Sequence, residues 1–142
     1  MIIPDLNLLI YAYNDGTRLH QEAKSWWENL LDGNTRIGIP WVVSTGFIRL
    51  MTHSKLLAHP VSTADAIRFI RQWFALSQVS PIHPGTKHLD CLAQCLEVAG
   101  TGGNLTTDAH IAALAMEYQA IVHSNDTDFS RFAGVKWINP LK

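Results

Sequence analysis

Short apolar runs alternate along this chain with longer stretches in which apolar residues recur every three or four positions. Met1-Ile2-Ile3, Arg36–Pro40, Val79–Ile82, Ala120–His123 and Lys136-Trp137-Ile138 are too short for helices, and most are β-branched or aromatic, so they read as buried strands. Between them the helical period predicts a segment with Leu6, Leu9, Ile10 and Tyr13 on one side, then Thr17 to Leu31 with Leu19, Ala23, Trp26, Trp27 and Leu30 in one stripe. Trp41 to Thr52 follows with Val43, Phe47, Leu50 and Met51 inward. A helix from Thr63 carries Ala64, Ile67, Ile70 and Phe74 at core spacing. Thr86 to Ala99 places Leu89, Leu92, Ala93 and Leu96 on one face. The last helix is capped by Thr106 or Thr107 and runs to about Gln119. Asn14–Thr17, Asp32-Gly33-Asn34, His53–Ser62 and Gly100–Asn104 break the pattern as turns and loops. Pro4 has no N–H for a ladder and is expected near a strand end or on a tolerant edge. Strands alternating with helices imply a parallel sheet covered on both faces.

In open sheets of this kind the ligand site lies beyond the carboxyl ends of the strands. Asp5 follows the first strand, and Ser124-Asn125-Asp126-Thr127-Asp128-Phe129 follows a late one. Asp108 opens the helix that feeds that late strand. Neighbouring carboxylates raise one another's pKa, so such a cluster is stable at neutral pH mainly when a cation fills it. Oxygen ligands select Mg²⁺ or Mn²⁺, and such an ion can lower the pKa of a bound water and offset charge on a phosphate. That is the chemistry of phosphodiester hydrolysis. Each acid also has a plainer use: Asp5 as a helix N-cap, Asp108 as a complement to a helix dipole, and Asp126 and Asp128 as Asx-turn formers. The joint placement favours a site over any one of these.

With 142 residues the chain is expected to form one domain over 1–142. A domain of that size buries about 70% of its unfolded surface and needs no disulfide to fold. Cys91 and Cys95 lack a second pair at zinc spacing and read as reduced core residues of a cytoplasmic protein. No apolar run approaches a membrane span, and no basic segment precedes the first strand, so neither a membrane anchor nor a secretory leader is expected. A net charge of −1 is unlike the basic balance of most duplex-binding domains. If the substrate is nucleic acid, it is a short exposed stretch gripped by metal ions and a local basic rim, for which Arg49, Lys55 and Arg131 are candidates.

The chain resembles the PIN-domain family and, within it, the VapC toxins of type II toxin–antitoxin systems. The matching pieces are Asp5 to Ala12, Trp41 to Thr52 with Phe47-Ile48-Arg49, Gly103 to Ala113, and Ser124 to Phe129. They span essentially the whole chain, and the last is the most specific. The resemblance implies a three-layer α/β/α sandwich with a mainly parallel central sheet. It implies a Mg²⁺- or Mn²⁺-dependent endoribonuclease, usually a homodimer, held inactive by a VapB-type antitoxin. By position Asp5, Asp108 and Asp126 match the family's metal-site acids, Asp128 its accessory acid and Ser124 its nearby hydroxyl, while Asn7 could help hold a metal-bound water. One departure stands out. The family's usual Glu, just before the segment matching Phe47-Ile48-Arg49, is Gly46 here, and Ser44 offers a weak replacement oxygen nearby. That departure keeps open a catalytically weak PIN-like module that binds RNA or a partner. Three acids at strong positions remain, and activity is expected. A phosphatase of the haloacid dehalogenase type would need a second Asp two residues after Asp5, where Asn7 stands. His110 shares no helix face with Asp108 and reads as structural.

Overall fold

The computed structural model describes residues 1–100 and 102–142. Thr101, inside the loop expected over Gly100–Asn104, lies outside the described residues. In chain order the elements are β1 (Ile2–Pro4), α1 (Leu6–Tyr13), α2 (His20–Asp32), β2 (Ile37–Pro40), α3 (Trp41–Met51), α4 (Thr63–Phe74), β3 (Val79–Ile82), α5 (His88–Ala99), α6 (Thr106–Tyr118), β4 (Ile121–His123) and β5 (Lys136–Ile138). Turns of 3-10 helix occupy Gly103–Leu105 and Thr127–Arg131.

The strands form one sheet in the order β3-β2-β1-β4-β5, and every pairing is parallel. Ile3, Ile37, Ile39 and Val122 are fully buried, as strands covered on both faces require. The helices pack as one group, α1 to α4, and as a second pair, α5 with α6. This is the α/β/α sandwich, in a more uniform form: the sheet is wholly parallel. β1 pairs with β4 through Ile2↔Ile121, Ile3↔Val122 and Pro4↔His123. Pro4 ends a central strand, and the ladder continues one step beyond it, where the Asp5 N–H donates to the His123 carbonyl at 2.8 Å. Gly38 lets β2 lie close to its neighbours: a Cβ there would stand 2.7 Å from Met1 Sδ and 2.8 Å from Ile82 Cγ2.

The chain runs outward from β1 to β3, then returns to place β4 on the other side of β1. The carboxyl ends of β1 and β4 therefore flank the switch point, the crevice where open parallel sheets bind ligands. An aromatic cluster anchors the α1–α4 side. Phe47 and Trp73 meet edge to face at 4.9 Å, Trp27 and Trp73 at 5.5 Å, and Trp73 Nε1 donates to the Tyr13 hydroxyl at 2.8 Å.

Four expectations need correction. Helix α2 begins at His20, because Thr17 to Leu19 turn instead, with the Leu19 N–H donating to Thr17 Oγ1. On α4 the buried residues are Ala66, Ile70 and Trp73, while Ala64 and Ile67 face outward; the Trp73 ring sets the face. On α5, which starts at His88, Leu89 is 74% exposed and Ala93 also points out, and the buried position is Cys95, packed on Met116. Cysteine is buried as readily as leucine, which a count of leucines misses. Neither Thr106 nor Thr107 caps α6: both lie inside its first turn, and Leu105 occupies the cap position with no side-chain bond. Both cysteines are free thiols. No helix among the described residues is long and apolar enough to cross a membrane.

Candidate metal centre

Asp5 leaves β1 in extended conformation and caps α1, its Oδ1 accepting the Leu6 N–H at 2.8 Å. Its other oxygen, Oδ2, accepts the Ser124 hydroxyl at 2.7 Å. Ser124 is fully buried and follows β4 directly. Its Oγ also receives the Asp126 N–H at 2.9 Å and lies 3.5 Å from Asn7 Nδ2. One hydroxyl thus ties the ends of the two central strands together. Asp126 Oδ1 in turn accepts the Asp128 N–H at 2.9 Å and caps the 3-10 turn. The plain uses of Asp5 and Asp126 as caps are therefore real, and each acid still faces the crevice. Trp137 Nε1 donating to the Ser124 carbonyl, and Asn139 donating to Asn125, hold the turn against the chain around β5.

Asp108 arrives from the first turn of α6. Carboxylate oxygens of Asp108, Asp126 and Asp128 all lie within 4.8 Å of one another. A cavity of about 380 Å³ carries Asp5, Asn7, Asp108 and Asp126 in its wall, beside apolar Leu6 and Ile111. No Lys or Arg lines it. Burial pushes the Asp108 carboxyl up to about 7, helped by the charges of Asp5, Asp126 and Asp128 and by a hydrogen bond with Asp126. Burial also raises Asp5, against the hydrogen bonds from Ser124 and the Leu6 N–H, and the charge of Asp126 adds to the rise. Hydrogen bonds hold Asp5 and Asp126, but no basic side chain among the described residues lines the cavity to offset the acids' charge. A set of converging hard oxygens with that electrostatic deficit suits a divalent cation. Asn7 Oδ1 is buried without a hydrogen-bond partner, so the residue still has acceptor capacity beside the acids.

The other candidates are not brought here. A Cβ on Gly46 would meet Leu6 Cδ2 at 2.6 Å, so this point of α3 is packed against α1 rather than open to the cavity. Ser44 is buried with no hydrogen-bond partner and lines a different groove, between α3 and α4, so it replaces no carboxylate. Arg49 and Lys55 are exposed and away from the cavity wall, and Arg131 donates to the Ala99 carbonyl. His123 carries a support that no sequence motif marked. Trp26 Nε1 donates to its Nδ1 at 3.0 Å, burial lowers its pKa to about 4, and its carbonyl holds the Asp5 N–H.

Residues 2–135 match the model of the PIN domain. The chain is 45% identical over 142 residues to Ribonuclease VapC33 of Mycobacterium tuberculosis, covering 100% of this chain and 99% of that protein. Among solved structures, VapBC2 of Rickettsia felis, bound to a DNA fragment from its promoter, superposes with a TM-score of 0.68 at 22% identity, over 98% of each chain. Mycobacterium tuberculosis VapC20, a Sarcin-Ricin loop cleaving toxin, does so with a TM-score of 0.69 at 19% identity, over 96% of this chain and 99% of that one. At those identities the structural matches speak to the fold, while the family match and the closer sequence relative speak to descent. An acid-lined crevice at the switch point of a five-stranded parallel sheet thus sits in a chain that belongs to the PIN-domain family, with VapC-type proteins as its relatives.

Proposed function

We propose that this protein is a divalent-metal-dependent endoribonuclease, a hydrolase of RNA phosphodiester bonds, and the toxin of a VapBC-type toxin–antitoxin pair. One observation carries the reading: Asp5, Asp108 and Asp126 line one crevice with no basic residue among its described lining, Asp128 groups with Asp108 and Asp126 at its edge, and the chain is 45% identical to a ribonuclease. Asp5, Asp108 and Asp126 hold Mg²⁺ or Mn²⁺, with Asp128 as an accessory acid. The tight grouping of Asp128 with Asp108 and Asp126 supports a larger share for it than its sequence position implied. Once bound, the cation lowers the pKa of a water and offsets charge building on the phosphate. The chain's own part is placement. Ser124 fixes Asp5 and Asp126 relative to each other, Asn7 offers an acceptor beside them, and Leu6 and Ile111 exclude bulk water from one wall. The whole chain, 1–142, acts as one PIN domain in the cytoplasm, as a homodimer restrained by a VapB-type antitoxin. The assembly of the Rickettsia felis relative supports that partner.

Cleavage of total RNA in Mn²⁺ tests the activity, with Asp126→Asn as the control. Discrete fragments from the parent chain and none from the variant are expected, with both proteins equally folded by circular dichroism. Equal cutting by Asp126→Asn would remove the acid site from the mechanism.

A further inference from the structure

Asp108 reaches the acid cluster from a helix turn that lacks a side-chain cap. Carboxylate oxygens of Asp126 and Asp128 lie within 4.8 Å of its own. What grips that turn lies on the opposite helix. His88, at the start of α5, has Nε2 2.9 Å from His110 Nδ1 and Nδ1 2.9 Å from Glu117 Oε1. Glu117 Oε2 accepts the Gly85 N–H at 2.8 Å. The His88 and Glu117 side chains are only 12% and 10% exposed. His110 and Glu117 both belong to α6 and stand two helical turns apart on one face. One imidazole on α5 therefore fastens α6 at two levels, the upper one in the same turn as Asp108.

A carboxylate only accepts, so Glu117 takes the Gly85 N–H and the His88 Nδ1–H, while His88 Nε2 and His110 Nδ1 share the remaining bond, its direction set by the ring tautomers. Tyr118, the last residue of α6, makes separate ties: its hydroxyl meets the His83 N–H at 3.2 Å and the His83 carbonyl at 3.1 Å.

We propose that His88, held between Glu117 and His110, is a positioning residue: it fixes the first turn of α6 and so sets the Asp108 carboxylate at the spacing from Asp126 and Asp128 that a divalent cation needs. The inference rests on the metal reading above. Polar groups that orient metal ligands from behind typically change metal affinity by about 10–100-fold when removed.

Calorimetric titration of the full chain with Mn²⁺ alone tests it, alongside melting curves without metal. His88→Ala is expected to weaken Mn²⁺ binding about tenfold, and Glu117→Ala, which frees the ring without altering it, to do the same. Glu117→Gln keeps one acceptor oxygen and puts an amide –NH2 where the other stood, so one of the two N–H groups loses its partner, and a loss of Mn²⁺ affinity smaller than that of Glu117→Ala is expected. Tyr118→Phe loosens the same loop elsewhere and is expected to lower the melting temperature while leaving Mn²⁺ affinity unchanged. Parent-like binding by both His88→Ala and Glu117→Ala overturns the proposal. So does equal weakening in Tyr118→Phe at matched loss of melting temperature, since that would reflect general loosening. If the parent binds Mn²⁺, and binding is lost in Asp108→Asn but kept in His88→Ala, the relay alone falls. A parent that binds no Mn²⁺ overturns the metal reading and the relay with it.

Discussion

Ser124, itself fully buried, donates through Oγ to Asp5, accepts from the Asp126 backbone and sits beside Asn7. Deleting that hydroxyl strands an Asp5 oxygen and an Asp126 N–H at once, and a buried unsatisfied group costs about 1–3 kcal/mol. Ser124→Ala is expected to lose that much stability in urea unfolding and to bind Mn²⁺ more weakly, whereas Ser124→Thr keeps the hydroxyl and should retain more of both. Unchanged urea midpoint and affinity in Ser124→Ala would show that the hydroxyl links nothing. That these acids would gather was legible from their joint placement beyond the strand ends and at the start of the helix feeding β4, although Asp5 and Asp126 also serve as caps. Their partition was less so. Asp128 looked subordinate to Asp126, yet it stands in the same tight trio with Asp108. The supports behind them, His123 with Trp26 and His88 with Glu117, join residues far apart in sequence and follow no local period. Only the packed fold brings them together.

Between elements, the informative contact is Leu6 on α1 against Gly46 on α3. At this position, where the resemblance implies an acid, a Cβ would stand 2.6 Å from Leu6 Cδ2. Gly46→Ala adds a methyl 2.6 Å from Leu6 Cδ2. Overpacking of this kind costs about 1–3 kcal/mol, less where the neighbour is a flexible side-chain end, as Leu6 is. Leu6→Ala should relieve the clash, so the double variant is expected to be more stable than the sum of the single losses implies, as read from urea midpoints. Gly46→Glu is expected to lower stability and to leave Mn²⁺ affinity no better than the parent's; a tighter site in that variant would show that α3 can still deliver a ligand. Element types and order followed from the hydrophobic period, since short β-branched runs and long 3.6-period stretches are distinct signals. Faces were harder wherever the choice fell between similar apolar residues. Ala66 and Trp73 took the inner side of α4 over Ala64 and Ile67, and Cys95 that of α5 over Leu89.

At the scale of the whole molecule, the acid cluster makes folding depend on pH in a sense opposite to most carboxylates. Asp108 keeps its proton up to about 7 in the folded chain, against an ordinary 3.8. Between those values the folded state binds more protons than the unfolded one, so the Asp108 contribution to stability is full below the lower value and is lost as pH rises toward about 7. His123 works the other way. Its folded pKa of about 4 lies below the ordinary 6.5, so its contribution is present at neutral pH and is lost as pH falls through that window. The two slopes overlap in acid, and the Asp108 part must be read as a difference between the parent and Asp108→Asn. Without metal, the variant is expected to melt above the parent, by a margin that widens from pH 5 to about 7, where the unfolded parent has lost the Asp108 proton and the folded parent still holds it. Saturating Mn²⁺ binds the ionised acids and stabilises the parent by about 2.7 kcal/mol at a hundred times its dissociation constant. The order then inverts, and the parent melts above a variant that no longer holds the ion. A margin that stays constant with pH would show that neither burial nor the neighbouring acids raise the Asp108 carboxyl. A parent insensitive to Mn²⁺ across the same range would mean that the four acids, despite their geometry, hold no cation.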